Sequence, residues 1–169
     1  MGLLFEQSRL EQVRTWAIAN KQRFRPNGFG RQFALLQEFP DVPDAIWDIK
    51  RDVVAHFGLH DLPQEPLYRD LCGVITEGGA VHPHRDSNQG MLVHTRFNVM
   101  VSRPDGGGVP MIDGMLVDVP EGGIFRVDAG LLTHSCTPVI GARPRIILSF
   151  GFLSPLGRFS GLPFCISTP

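Results

Sequence analysis

The chain has 169 residues, 43% hydrophobic and 20% charged, with a formal net charge of −1. That length closes a real core and most simply makes one domain, 1–169. The charge leaves no broad basic face for a phosphate backbone, so nucleic acid is not an expected partner, and no run of about 18 apolar residues is present to span a membrane.

The opening MGLLFEQSRLEQVRTW lacks the long apolar stretch of a signal peptide, and MGLLFE lacks the Ser or Thr of a myristoylation signal. Phe5 to Asn20 places Leu10, Val13, Trp16, Ala17 and Ile18 at roughly helical spacing, and Pro43 to Phe57 does so with Ile46, Ile49, Val53, Val54 and Phe57. Between them RQFALLQEF fits either a strand or a short helix. Residues 1–60 therefore read as a helical buttress. From residue 67 to 152 the text changes to short β-like runs: Leu71–Thr76, Ala80–His84, Val93–Ser102, Val109–Ile112, Met115–Val119, Gly123–Asp128 and Arg145–Phe152. DGGGVP and VPEGG read as turns. Helices first and many short strands after predict a mainly antiparallel sheet buttressed on one face. The predicted fold is mainly β with N-terminal helices, and a double-stranded β-helix (a cupin-like jelly roll) fits the length. Cys72, Cys136 and Cys165 are odd in number and far apart with no C-x-x-C, which points to a reducing, cytoplasmic setting rather than a disulfide framework.

The stretch VHPHRDSN carries two histidines and an aspartate within five residues, Val81 to Asn88 being its bounds. On a strand end, residues two apart share a face, so His84 and Asp86 can aim at one point. His134, in VDAGLLTHS, follows Asp86 by 48 residues, and Arg145, which opens RIILSFGF, follows His134 by 11. Two imidazoles and a carboxylate on one face of an octahedron make the facial triad of non-haem Fe(II) oxygenases. A guanidinium on a neighbouring strand offers a fork of donors that matches a carboxylate. Each part alone has a bland reading: His84 and Asp86 as a solvated turn, His134 as a core histidine, Arg145 as a surface strand residue. The ordered set favours the metal site.

With its H-x-D (His84-Arg85-Asp86), distal His134 and later Arg145, the sequence from about residue 67 to 152 resembles the Fe(II)/2-oxoglutarate-dependent oxygenase superfamily. HTRFNVMVSRP and VPEGGIFRVDAGLLTHSCTP look most like the aspartyl/asparaginyl β-hydroxylase and bacterial proline hydroxylase group. The resemblance implies Fe(II) held by His84, Asp86 and His134, 2-oxoglutarate gripped by Arg145, and Arg96 and Asn98 on one strand face toward co-substrate or substrate. It implies dioxygen as oxidant, succinate and carbon dioxide as co-products, and a small amino-acid-like molecule or peptide side chain as substrate. Two positions depart from the pattern. Ile75 stands where several members have a tyrosine, and Ile147 where a serine follows the arginine, with Ser149 two residues on.

Several alternatives stay open at this stage. His82 shares parity with His84, and a cupin-type barrel using His82, His84 and His134 would bind a metal or ligand without oxidative turnover. Arg143 competes with Arg145 for the anion. Cys136 is expected to be a buried thiol and His94 structural, while Arg126 is expected to pair with Asp128 or to face the site. The loops DSNQGMLVHTR and PDGGGVPMIDG are expected to border the mouth. The sequence leaves the oligomeric state open.

Overall fold

A computed structural model describes residues 5–166; residues 1–4, on which the signal and lipidation readings partly rest, and 167–169 lie outside the described residues. Helix α1 (Gln7–Asn20) buries Leu10, Val13, Trp16 and Ala17, one stripe at helical spacing. A hairpin follows, from β1 (Arg25–Pro26) to β2 (Arg31–Leu35), and a short 3₁₀ turn ends it. RQFALLQEF is thus a strand that closes into a turn. Helix α2 (Asp44–Phe57) begins after Pro43 and buries Ala45, Ile46, Ile49 and Val53. Gly58 ends it in the left-handed region at φ 61°, where its amide bonds back to the last turn, a conformation that suits a residue without Cβ.

The remaining strands are β3 (Asp70–Ile75), β4 (Val81–His84), β5 (Leu92–Ser102), β6 (Gly106–Gly107), β7 (Pro110–Ile112) and β8 (Met115–Leu116). After them come β9 (Ile124–Val127), β10 (His134–Cys136), β11 (Val139–Ile140), β12 (Arg145–Pro155) and β13 (Cys165–Ile166). They form a seven-stranded sheet in the order β1-β2-β3-β12-β5-β9-β13, a four-stranded sheet β4-β10-β7-β8, and the small pair β11-β6. Every pairing is antiparallel.

Three details differ from the sequence expectations. The N-terminal part supplies two strands to the large sheet as well as its helices. DGGGVP is only partly a turn, because Gly106 and Gly107 pair with Ile140 and Val139. Met115–Val119 narrows to a two-residue strand.

Alternation sorts the long strands. On β12, Ile146, Leu148, Phe150 and Phe152 join the core under the helices, with Cys72 and Val74 of β3 and Phe97, Val99 and Val101 of β5. The opposite parity, Arg145, Ile147 and Ser149, faces a cavity between the two sheets, with Leu71, Gly73 and Ile75 of β3 and Arg96 and Asn98 of β5. A period of two thus places the helices on one face of the large sheet and the polar cavity on the other.

Candidate active site

The cavity encloses about 910 Å³, within the usual range for small-molecule sites. Its chemical centre comes from β4 and β10. Their pairing sets His134 directly opposite His84, which closes the long sequence gap between the two histidines. The rings lie with centroids 4.2 Å apart. His84 Nε2 is 3.5 Å and His134 Nε2 3.9 Å from the same oxygen, Asp86 Oδ1. One ligand atom from each of the three residues lies within 4.8 Å of the others. Ligand atoms on adjacent corners of an octahedron are roughly 3 Å apart for metal–ligand bonds of about 2.1 Å, so a small contraction brings these atoms to one ion.

The outer nitrogens fix the rings. His84 Nδ1 lies 2.8 Å from the His82 carbonyl and His134 Nδ1 3.2 Å from that of Leu132. A carbonyl can only accept, so each Nδ1 carries a proton, which leaves Nε2 as the nitrogen available to a metal once it is deprotonated. Asp86 is held from its other side: Oδ2 lies 3.4 Å from His94 Nδ1 and 3.7 Å from Arg96 Nε. Its amide donates to the Ala129 carbonyl at 2.8 Å. Asn88 ties the same turn down, donating to the Gly130 carbonyl and accepting from the His94 amide. The Asn88 side chain sits where a Cβ on Gly130 would be, with Oδ1 only 1.6 Å from that position, so this contact requires glycine.

Electrostatics follows the same frame. The hydrogen bond with Asp86 raises His84 above the ordinary histidine value, against a lowering by burial. Burial lowers His134, and burial with the nearby Arg96 charge lowers His94. Burial pushes Asp86 upward, but the bond from His84 and the charges of His94, His134 and Arg96 outweigh it, leaving the carboxyl below its usual range.

Arg96 bonds to Ser149 Oγ at 3.1 Å and to Glu65 Oε2 at 3.2 Å. Glu65, 1% exposed, also accepts the amides of Leu67, Tyr68 and Arg69. Both Nη atoms of Arg96 are therefore engaged by the protein. Asn98 lines the cavity and makes one long bond to the Phe125 carbonyl, 3.4 Å.

Arg145 differs from Arg96. It is 3% exposed, lines the cavity, and its Nε has no partner. Among the described residues no carboxylate pairs with it; its neighbour is the Phe125 ring, 6.0 Å away. Burial lowers its pKa. A buried guanidinium without a counter-ion is costly, and an anionic ligand would offset that cost.

The competing candidates fall elsewhere. Arg143 is exposed and pairs with Glu121. His82 is exposed and contributes its carbonyl to His84, and its side chain does not join the ligand cluster, which removes the ligand set of the cupin alternative. Arg126 bonds to the Phe159 carbonyl and lies 3.5 Å from Asp128, away from the cavity. Cys136 is buried.

The mouth differs from expectation. The loop after Asp86 folds back onto Gly130, while the hairpin β1–β2 and Tyr68 form the rim with Ala80–Pro83. Of the second expected loop, Pro110, Met111 and Ile112 line the wall. Sequence reasoning missed Glu65 and Arg31. Both reach the site through pairings that no local pattern encodes.

No sequence-family model and no curated protein sequence matches this chain. Solved structures do. A viral collagen prolyl hydroxylase (vCPH) from Paramecium bursaria Chlorella virus-1, in complex with 2-oxoglutarate, is 13% identical over 91% of this chain and 93% of its own, with a TM-score of 0.66. HygX from Streptomyces hygroscopicus, with nickel and 2-oxoglutarate bound, is 12% identical over 93% of this chain and 82% of its own, TM-score 0.62. A Pseudomonas putida prolyl-4-hydroxylase is 15% identical over 93% of this chain and 91% of its own, TM-score 0.61. This chain has the double-stranded β-helix fold. The match covers nearly the whole chain. In that double-stranded β-helix the two sheets hold the His84, Asp86 and His134 cluster between them, and Arg145 lies on the facing wall.

Proposed function

We propose that this chain is an Fe(II)- and 2-oxoglutarate-dependent dioxygenase. It hydroxylates a C–H bond of a small amino-acid-like molecule or a peptide side chain and releases succinate and carbon dioxide. One observation carries this reading: a two-histidine, one-carboxylate cluster and an unpaired, buried guanidinium share one cavity. The first is a ligand set for Fe(II) and the second is a receptor for a carboxylate.

In this reading His84 Nε2, His134 Nε2 and Asp86 Oδ1 hold the metal. Bound Fe(II) supplies the redox chemistry that couples decarboxylation of 2-oxoglutarate to hydroxylation by dioxygen. Arg145 takes the far carboxylate of 2-oxoglutarate. Ser149 and Asn98 line the wall beside it, and Ile75 and Ile147 give that wall an apolar surface. His94 and Arg96 hold Asp86 Oδ2 so that Oδ1 stays directed at the metal. The retained carboxylate favours hydroxylation over halogenation, which needs that position for chloride. No helix among the described residues is long and apolar enough to cross a membrane. We place the protein in the cytoplasm on its three widely spaced cysteines, Cys72, Cys136 and Cys165, which lack a C-x-x-C pattern.

The test is anaerobic absorption spectroscopy of metal-free protein given Fe(II) and then 2-oxoglutarate. The expected result is a weak visible charge-transfer band, absent from His84→Ala. A folded protein that binds Fe(II) but gives no band with 2-oxoglutarate would exclude this reading.

A further inference from the structure

A second cation in the cavity has no counter-ion. Arg31, the first residue of β2, lines the cavity and is half-buried. Among the described residues its guanidinium makes no hydrogen bond and no ion pair. It stands in one row with Arg145: Ile75 is the direct partner of Arg31 on one side and of Arg145 on the other. Directly opposed residues put their side chains on the same face, so both guanidiniums face the cavity, from Cα positions about 10 Å apart across two strand spacings. Burial and then the Arg145 charge lower the pKa of Arg31, while Cys136, Asp86 and Tyr68 act the other way without forming an ion pair or hydrogen bond with it.

The charges around the cavity show what this cation faces. In the loaded site an Fe(II) dication and the guanidiniums of Arg96 and Arg145 would be balanced by Asp86, Glu65 and the 2-oxoglutarate dianion, with Arg145 the residue that would hold the carboxylate far from the metal. Arg31 then remains as a single uncompensated positive charge at the mouth. The rim around it carries Pro26, Phe33, Phe29 (81% exposed) and Tyr68 (45% exposed), beside the polar Asn27 and Gln32. Phe33 and Tyr68 meet edge to face, 6.2 Å between centroids. The backbone that carries Arg31 is fixed, because the Thr76 amide donates to the Gly30 carbonyl at 2.8 Å and the Asn27 amide to that of Arg31 at 2.8 Å. A rigidly mounted, unpaired guanidinium beside exposed aromatic rings is a receptor for an anion with an apolar body.

We propose that Arg31 is the substrate-anion position of this site, and that the substrate carries one carboxylate next to an apolar group that lies against the Pro26, Phe29 and Tyr68 rim. This rests on the oxygenase reading and names the substrate class that it leaves open. Arg145 serves the co-substrate and Arg31 the substrate.

The experiment uses full-length protein loaded anaerobically with Fe(II) and 2-oxoglutarate. The probes are N-acetyl-leucine, N-acetyl-phenylalanine and N-acetyl-proline, each as free acid and as primary amide. Binding is read by calorimetry and by perturbation of the charge-transfer band. At least one acid should bind at least about tenfold more tightly than its amide, the scale of a charge-assisted pair. In Arg31→Gln the preference should fall below about twofold while affinity for 2-oxoglutarate stays within about twofold of wild type; Arg31→Lys should restore part of it. The proposal is overturned if acids and amides bind alike, if no acid binds a protein that holds 2-oxoglutarate, or if Arg31→Gln keeps the preference. It is also overturned if Arg31→Gln weakens 2-oxoglutarate as much as Arg145→Gln does, because Arg31 is then a second arm of the clamp. Wild type that binds no 2-oxoglutarate would instead refute the oxygenase reading beneath it.

Discussion

Replacing Arg145 by methionine should raise the stability of the ligand-free protein and weaken its grip on 2-oxoglutarate. The opposed signs make this a sharp test. Arg145 is 3% exposed, its Nε has no partner, and the Phe125 ring lies 6.0 Å from its guanidinium. Exchanging buried ionic groups for apolar side chains of similar volume gains about 1–4 kcal/mol. Arg145 borders a cavity roomy enough for water, which screens the charge, so the lower half of that range applies, about 1–2 kcal/mol. For a chain of this size each kcal/mol moves Tm by about 2–4 °C, so ligand-free Arg145→Met should melt about 2–8 °C higher. Losing a charge-assisted pair to a carboxylate costs about 1.5–3 kcal/mol, a weakening of at least about tenfold in 2-oxoglutarate affinity. Calorimetric melting without ligand and anaerobic titration with 2-oxoglutarate measure the two effects. A variant that melts lower than wild type yet binds 2-oxoglutarate normally would refute the reasoning and make Arg145 a structural partner of Phe125.

His134→Ala should lose Fe(II) affinity at least a hundredfold, about 3 kcal/mol, while His82→Ala stays within about threefold, since the backbone carbonyl that orients His84 remains; metal titration of the two variants distinguishes this site from one using His82. Glu65→Ala leaves Arg96 buried without its closest counter-charge and should destabilise the fold by about 3–5 kcal/mol, seen as a lower denaturation midpoint; an unchanged midpoint would show that Asp86 alone balances Arg96. Gly130→Ala forces the Asn88 side chain out of its place and should cost about 1–3 kcal/mol, and because Asn88→Ala removes the obstructing atoms, the double variant should recover part of the loss. Acidification should weaken Fe(II) binding. The His84 pKa is raised in the folded, metal-free protein, so its proton stabilises that state at low pH, an advantage lost as pH rises through the folded pKa. A metal must displace that proton. Calorimetry below pH 7 in buffers of different ionisation enthalpy should show proton release on binding, and none would contradict the assigned protonation.

The chemistry at the centre of the site was legible because it is local. H-x-D puts His84 at the end of β4 and Asp86 two residues on, in the turn just past it, and RIILSFGF shows Arg145 opposite in parity to an unbroken apolar series. His134 was legible by distance, although β10 spans only three residues, too few for a periodic signal. Expected and observed boundaries differ most where strands are this short. The turn reading of DGGGVP failed for a related reason: Gly106 and Gly107 owe their strand to Val139 and Ile140, more than thirty residues later in the chain. Glycine has little intrinsic strand preference, so only the pairing reveals it.

The parts that escaped the sequence share a different property. Glu65 sits in LPQEPLYRD with no periodicity, yet it accepts three consecutive amides and an Arg96 donor. That arrangement bears on the candidate metal cluster. Arg96 lies between two carboxylates, 3.2 Å from Glu65 and 3.7 Å from Asp86. Without Glu65 the full charge of Arg96 would fall on Asp86, drawing Oδ2 toward the guanidinium and turning Oδ1 away from the histidines. Glu65 takes the closer contact, and Asp86 keeps an oxygen directed at the histidine nitrogens. The β1–β2 hairpin acts similarly at the mouth. It joins the large sheet from the part of the chain that reads as helical, and it delivers Arg31 to the row already holding Arg145. In both cases a charged side chain is placed by strand register between segments far apart in sequence. Sequence spacing picked out the His84, Asp86 and His134 cluster, while register determines which charges stand behind and beside it.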